Sequence, residues 1–154
     1  MKLMISHRGN INGRNPQWEN DPYYIDKAIE RGYGVEVDVW CKHNILWLGH
    51  DKPLYKIKIE WLIERVDKLW VHCKNVEAAS FFFDYNLNNT YDKHIHYFCH
   101  ETDTIGLTSK GYMLGYPGKQ PIKDTIAMMP EIFNDDVSQC LGVCSDFIEK
   151  YKII

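Results

Sequence analysis

The chain has 154 residues, 45% of them hydrophobic and 25% charged, with a formal charge of −3 at pH 7. A chain of this length fits one domain that buries on the order of 70% of its unfolded surface, and ten tyrosines with five tryptophans argue against disorder. The slightly acidic balance gives no support for nucleic-acid or anionic-membrane binding, and no apolar run approaches the roughly 18 residues of a membrane span.

The apolar stretch after Lys2 runs only from Leu3 to Ile5 before Ser6-His7-Arg8, so no secretory leader is expected. The cysteines (Cys41, Cys73, Cys99, Cys140 and Cys144) form an odd set without a Cys-x-x-Cys pair. They predict buried free thiols, a reducing compartment and a cytoplasmic protein.

In chain order, Leu3 to His7 reads as a strand, followed by a loop rich in Asn, Gly and Pro. Asp21 is a cap and Pro22 a tolerated first-turn residue for a helix from Tyr23 to Arg31, stopped by Gly32. Val35 to Val39 alternates with the strand period, and Lys42-His43-Asn44 turns it toward Leu46-Trp47-Leu48. Ile59 to Leu69 and Val76 to Tyr85 read as helices, with Trp70 to Lys74 a strand between them. His94 to Cys99, Tyr112 to Tyr116, Thr125 to Met129 and Leu141 to Ser145 are further strands. Alternating strands and helices predict a parallel α/β sheet. Seven strands suit a barrel, but a TIM-type (β/α) barrel usually takes about 250 residues. The expectation is therefore a compact, shortened barrel, one domain over 1–154, with some outer helices reduced or missing.

Three short segments carry the chemistry: His7-Arg8-Gly9, Glu36-Val37-Asp38 and His50-Asp51, each closing a strand-like stretch. Glu36 and Asp38 are two apart, so on a strand they share a face. Two inward carboxylates repel unless a cation or a proton relieves them, and a hard divalent ion takes such oxygen ligands. On an exposed edge strand the same pair would simply face solvent. A phosphodiester needs one group to take a proton and another to give one, which His7 and His50 could provide near neutral pH. Trp70, His72 and Lys74 share a face, and Lys74 could hold a phosphate oxygen as a compact charge. His72 could bind a metal or fill space beside an aromatic ring. His94, His96 and His100 offer zinc ligands for a hydrolase of another bond, although no cysteine or carboxylate completes the set. Glu101 is a spare metal ligand.

Taken together, His7-Arg8-Gly9, Glu19-Asn20, Ala28-Ile29, Gly32, Val35 to Val39 and Gly49-His50-Asp51 resemble the start of the glycerophosphodiester phosphodiesterase family. The likeness runs from about Lys2 to Pro53, thins toward Lys74, and returns at Gly142-Val143-Cys144-Ser145-Asp146. It implies a TIM-type barrel with its site at the C-terminal strand ends, a divalent metal (usually Mg²⁺ or Ca²⁺), and cleavage of a glycerophosphodiester to an alcohol and a phosphomonoester. By position it implies His7 and His50 as the acid–base pair, Glu36 and Asp38 as metal ligands, and Arg8 and Lys74 as phosphate contacts. Glu19 falls at the glutamate of the family's Pro-Glu-Asn segment, here preceded by Trp18. His72 stands where the family has its third metal carboxylate, which moves preference toward Mn²⁺ or Zn²⁺ unless Glu101 supplies the missing oxygen. The expected partner is a small phosphodiester. A weakened barrel that only binds a phosphate-containing ligand is the alternative.

Overall fold

Residues 2–153 are described in a computed structural model of the chain. β1 (Leu3–His7) leads through a long loop into α1 (Pro22–Glu30) and the nine-residue strand β2 (Gly34–Lys42). β3 (Ile45–Leu48) and β4 (Tyr55–Ile57) follow as a hairpin, then the short α2 (Ile59–Ile63), β5 (Leu69–Cys73) and α3 (Val76–Leu87). The second half is almost all strand: β6 (Tyr97–Cys99), β7 (Ile105–Leu107), β8 (Met113–Gly115), β9 (Ile126–Met128) and β10 (Gly142–Ser145).

Local chemistry accounts for most boundaries. The Asp21 carboxylate accepts from the Tyr23 and Tyr24 N–H groups at 2.9 and 3.2 Å, capping α1 just ahead of Pro22. Gly32, at φ +91, ends it. The β2–β3 turn places His43 and Asn44 at φ +51 and +59, the primed geometry that matches strand twist. α2 is shorter than the helix expected over Ile59 to Leu69. The Arg65 guanidinium takes the Trp61 carbonyl at 2.9 Å, and the Arg65 N–H turns to Leu62 O instead. The expected strand from His94 begins only at Tyr97, because His94 Nε2 and the Ile95 N–H bond to Asn89 O and Asn86 Oδ1.

Seven strands run parallel in the order β6-β5-β2-β1-β10-β9-β8, with the β3–β4 hairpin on the far half of β2 and β7 antiparallel on β8. The result is a mixed α/β fold with a ten-stranded sheet and three helices. No strand ladder joins β6 to β8 among the described residues, so pairing does not close the sheet into a barrel. One face of β2 and β5 (Val35, Val37, Val39, Val71) packs under α1 and α3 with Ile25, Ala28, Ala78 and Phe82. On the other face a second cluster gathers Ile5, Trp70, Phe98, Leu114, Ile126 and Cys144. Phe98 and Leu114 come from opposite ends of the parallel run, so the sheet curls around this core. The Ser109 N–H also donates to Tyr97 O at 2.8 Å across the unpaired gap.

Candidate metal and acid–base site

Register, not proximity in sequence, assembles the site. β1 pairs with β2 so that His7 lies beside Glu36, and β2 pairs with β5 so that Asp38 lies beside His72. On the other side Ser6 is level with Ser145, which sets Asp146 next to His7. Glu36 and Asp38 are 2% and 0% exposed, which removes the solvent-facing edge-strand reading. Two residues with φ > 0, Arg8 and Gly9, turn the chain off β1. A Cβ on Gly9 would meet Tyr24 Cδ1 at 2.6 Å, so the glycine of His7-Arg8-Gly9 is a packing requirement as well as a turn.

Among the described residues, one group could hold a metal ion: Glu36, Asp38 and His72, with ligand atoms all within 4.8 Å of one another. Hydrogen-bond accounting says why a cation suits it. His72 Nε2 faces the His100 carbonyl at 3.0 Å, and a carbonyl only accepts, so Nε2 carries a proton. His72 Nδ1 then faces Asp38 Oδ1 at 3.0 Å and Glu36 Oε1 at 3.7 Å. A neutral ring would set a lone pair against carboxylate oxygens, a repulsion relieved by a second proton or by a cation. Glu36 Oε2 is buried with no hydrogen-bond partner, a costly condition for a carboxylate. Burial first, and then the charge of Asp38, push the Glu36 carboxyl above its ordinary value. Asp38 goes the other way: burial would raise it, but the His72 hydrogen bond and the charges of Arg8, His72 and Lys74 together hold it low.

Asp38 is the more crowded carboxylate. Asn20 donates to its Oδ2 at 2.8 Å and accepts from its backbone N–H at 2.9 Å. Arg8 Nε lies 2.9 Å from the same oxygen, off the hydrogen-bonding line, and Lys74 Nζ is 3.6 Å from Oδ1. The two expected phosphate contacts, Arg8 and Lys74, are therefore paired with Asp38 here. Glu19 is buried and accepts from Arg8, Asn10 and Arg14 at 3.2, 3.0 and 3.3 Å, which fixes the Arg8 side chain.

The two histidines face different surroundings. His7 Nδ1 bonds to Asp146 Oδ1 at 2.7 Å, which leaves Nε2 free, 3.8 Å from Glu36 Oε2. Burial lowers its pKa, but the Asp146 bond and the Glu36 charge outweigh burial and the net shift is upward from 6.5. His50 lies on the loop after β3, with 40% of its side chain exposed and Nδ1 2.7 Å from Asp51 Oδ1. Burial, helped by the charge of Arg8, lowers it from 6.5. Both histidines line one cavity of about 1000 Å³, together with Arg8, Glu36, His72 and Lys74. Comparison with protein families, curated proteins and solved structures gives no significant match to this chain.

Other expectations fare differently. Glu101 lies exposed on the cavity rim and outside the ligand group, because β6 ends at Cys99 and the chain turns away before reaching the carboxylates. His94, His96 and His100 do not form a zinc set. His94 is tied to Asn89, His96 packs on Trp70, and His100 stacks on Tyr116 with ring centroids 3.5 Å apart. All five cysteines are free, but Cys99 is exposed on the cavity wall, whereas the expectation was that all would be buried. Sequence reasoning gave no role to Asp146, Asn10 or Asn20. Asp146 stood in the segment Gly142 to Asp146, but its contact with His7 spans 139 positions.

Gly49 sets the position of His50. At φ +144, a Cβ there would run into the Lys52 carbonyl oxygen, while Gly49 itself donates to Asp38 O at 3.1 Å. Gly49→Ala is expected to cost roughly 1–3 kcal/mol in thermal unfolding. Turnover should fall further than folding, because the displaced loop carries His50. A variant that melts normally and keeps full phosphodiester turnover would contradict this.

Proposed function

We propose that this chain is a metal-dependent phosphodiesterase of the glycerophosphodiester phosphodiesterase kind, hydrolysing a glycerophosphodiester-like substrate to an alcohol and a phosphomonoester. The observation that carries the reading is that His7 and His50, shifted in opposite directions, line one cavity together with Glu36 and His72 of the candidate metal group. Opposite shifts in two titratable groups are how an acid and a base are told apart. The strand order and the core shared by Phe98 and Leu114 support a shortened, incompletely closed barrel of the TIM type as the scaffold.

The donor set fits a divalent ion. Two carboxylate oxygens suit Mg²⁺ or Ca²⁺, the imidazole nitrogen of His72 favours Mn²⁺ or Zn²⁺, and the orphaned Glu36 oxygen is an open ligand. When bound, such an ion supplies Lewis-acid stabilisation of charge on the phosphate oxygens. His50, neutral near pH 7, takes the proton from the attacking water; where the substrate's own hydroxyl attacks, a cyclic phosphate forms first and water then opens it to the phosphomonoester. His7, whose pKa the Asp146 bond and the Glu36 charge raise, gives its Nε2 proton to the leaving alcohol. Asp146 fixes the tautomer by accepting from Nδ1. Arg8 and Lys74 place positive charge on the cavity wall where a phosphate oxygen would sit.

One observation favours a second reading, a barrel that binds a phosphate ligand without turning it over. Arg8, Asn20, His72 and Lys74 already satisfy Asp38. Assays of glycerophosphocholine and bis-(p-nitrophenyl) phosphate decide between them, run after chelation and again with each of Mg²⁺, Ca²⁺, Mn²⁺ and Zn²⁺. The phosphodiesterase reading expects no product with chelator and product restored by at least one ion. Absence of product with every ion from pH 5 to 9, with ligand still bound, supports the binder.

A further inference from the structure

A second cavity, of about 810 Å³, opens at the end of the sheet opposite the candidate site, where β1 and β5 begin. Its size falls in the range of small-ligand pockets, and its lining mixes apolar with charged side chains. Trp70, His96 and Tyr112 form an aromatic wall, with ring centroids 4.2 Å apart for Trp70–His96 and 5.0 Å for Trp70–Tyr112. His96 is 5% exposed, and its Nε2 is buried with no hydrogen-bond partner among the described residues. Burial, with a contribution from the Lys110 charge, holds this ring down at about 4, so it is neutral and offers one donor and one acceptor.

Four lysines line the same cavity, Lys2, Lys68, Lys110 and Lys152, against a single carboxylate, Asp67. None of the four pairs with a carboxylate among the described residues. Lys2 donates to Val137 O at 2.6 Å, which leaves two of its three N–H groups for other acceptors. In a chain of net charge −3, this is an excess of positive charge beside an aromatic wall and an orphaned imidazole nitrogen, with Lys110 Nζ 5.7 Å over the Tyr91 ring and Lys152 Nζ 4.6 Å over the Tyr33 ring. Lysines hold phosphate as point charges, and planar rings stack on Trp and Tyr.

We propose that this cavity binds a small phosphorylated aromatic compound, a nucleoside monophosphate in chemical class, with phosphate among the lysines and the ring against Trp70 and Tyr112. It is separate from the phosphodiesterase site and does not depend on that reading. A monophosphate is also not a diester, so binding and turnover can be scored apart.

Calorimetric titration of the full chain with AMP and with ribose 5-phosphate, in the presence of chelator, tests it. AMP is expected to bind with one-to-one stoichiometry, about fivefold or more tighter than ribose 5-phosphate, because stacking is lost with the ring. Lys68→Glu with Lys110→Glu should weaken AMP about tenfold or more while leaving bis-(p-nitrophenyl) phosphate hydrolysis unchanged. If charge reversal prevents folding, Lys68→Gln with Lys110→Gln gives the same comparison, with an expected loss of about threefold or more. Absence of AMP binding, equal affinity for the two ligands, or a loss of AMP binding in Lys74→Ala but not in the lysine pair overturns the assignment.

Discussion

His7→Ala and His50→Ala are each expected to lower phosphodiester turnover by about 10²–10⁴-fold, the usual scale for losing a positioned acid or base, while both chains still fold. The pH profile makes the claim sharper. The productive state has His50 neutral and His7 protonated. His50 titrates below 6.5, so the acidic limb of the rate should lie below that value. The pKa of His7 is raised, so the alkaline limb should lie on the high side of the ordinary imidazole value, separated from the acidic one. Asp146→Asn removes the strongest influence raising His7, and the alkaline limb should then move to lower pH with little change in the acidic one. A purely structural role for Asp146 would lower turnover at every pH without moving a limb. Near-normal hydrolysis by both alanine variants would defeat the acid–base assignment outright.

The parts of this site legible in the sequence are those encoded within one strand. Alternation in Val35 to Val39 puts Glu36 and Asp38 on one face, and the structure buries both. Asp21 and Pro22 mark the start of α1 for a purely local reason, two backbone N–H groups and one carboxylate. What failed depended on partners far along the chain. His94 and His96 lose the strand period because Asn86 and Asn89, on and just after α3, capture the intervening backbone and ring. Whether the sheet closes turns on whether β6 pairs with β8, which it does not among the described residues, and strands of three residues carry no periodic signal either way. Glu101 looked available because it follows His100. The useful atom there is instead the His100 carbonyl, which fixes the His72 tautomer and has no signature in residue type.

The two carboxylates of β2 should respond to neutralisation with opposite signs. The folded pKa of Glu36 is raised, so its contribution to stability is fully present below the unfolded value and is lost as pH rises through the folded one. Its buried Oε2 has no hydrogen-bond partner, and Glu36→Gln in chelator should melt a few degrees higher, by roughly 0.5–2 kcal/mol, as is common when a strained functional group is removed. The folded pKa of Asp38 is lowered, so its contribution is present above the unfolded value and disappears as pH falls through the folded one. Asp38→Asn at neutral pH takes from Lys74 its only carboxylate among the described residues and from Arg8 and His72 their nearest one, which costs roughly 3–5 kcal/mol. At about 2–4 °C per kcal/mol for a chain of this size, that is a drop of about 6–20 °C. A divalent ion at a hundred times its Kd adds about 2.7 kcal/mol to the native chain, and hence about 5–11 °C, and both substitutions should abolish that rise. Differential scanning calorimetry with and without each ion reads all three effects. A melting temperature of the native chain that ignores Mg²⁺, Ca²⁺, Mn²⁺ and Zn²⁺ alike, or a Glu36→Gln chain that keeps the full rise, would mean that the facing of His72 and the two carboxylates is settled by a proton and not by a metal.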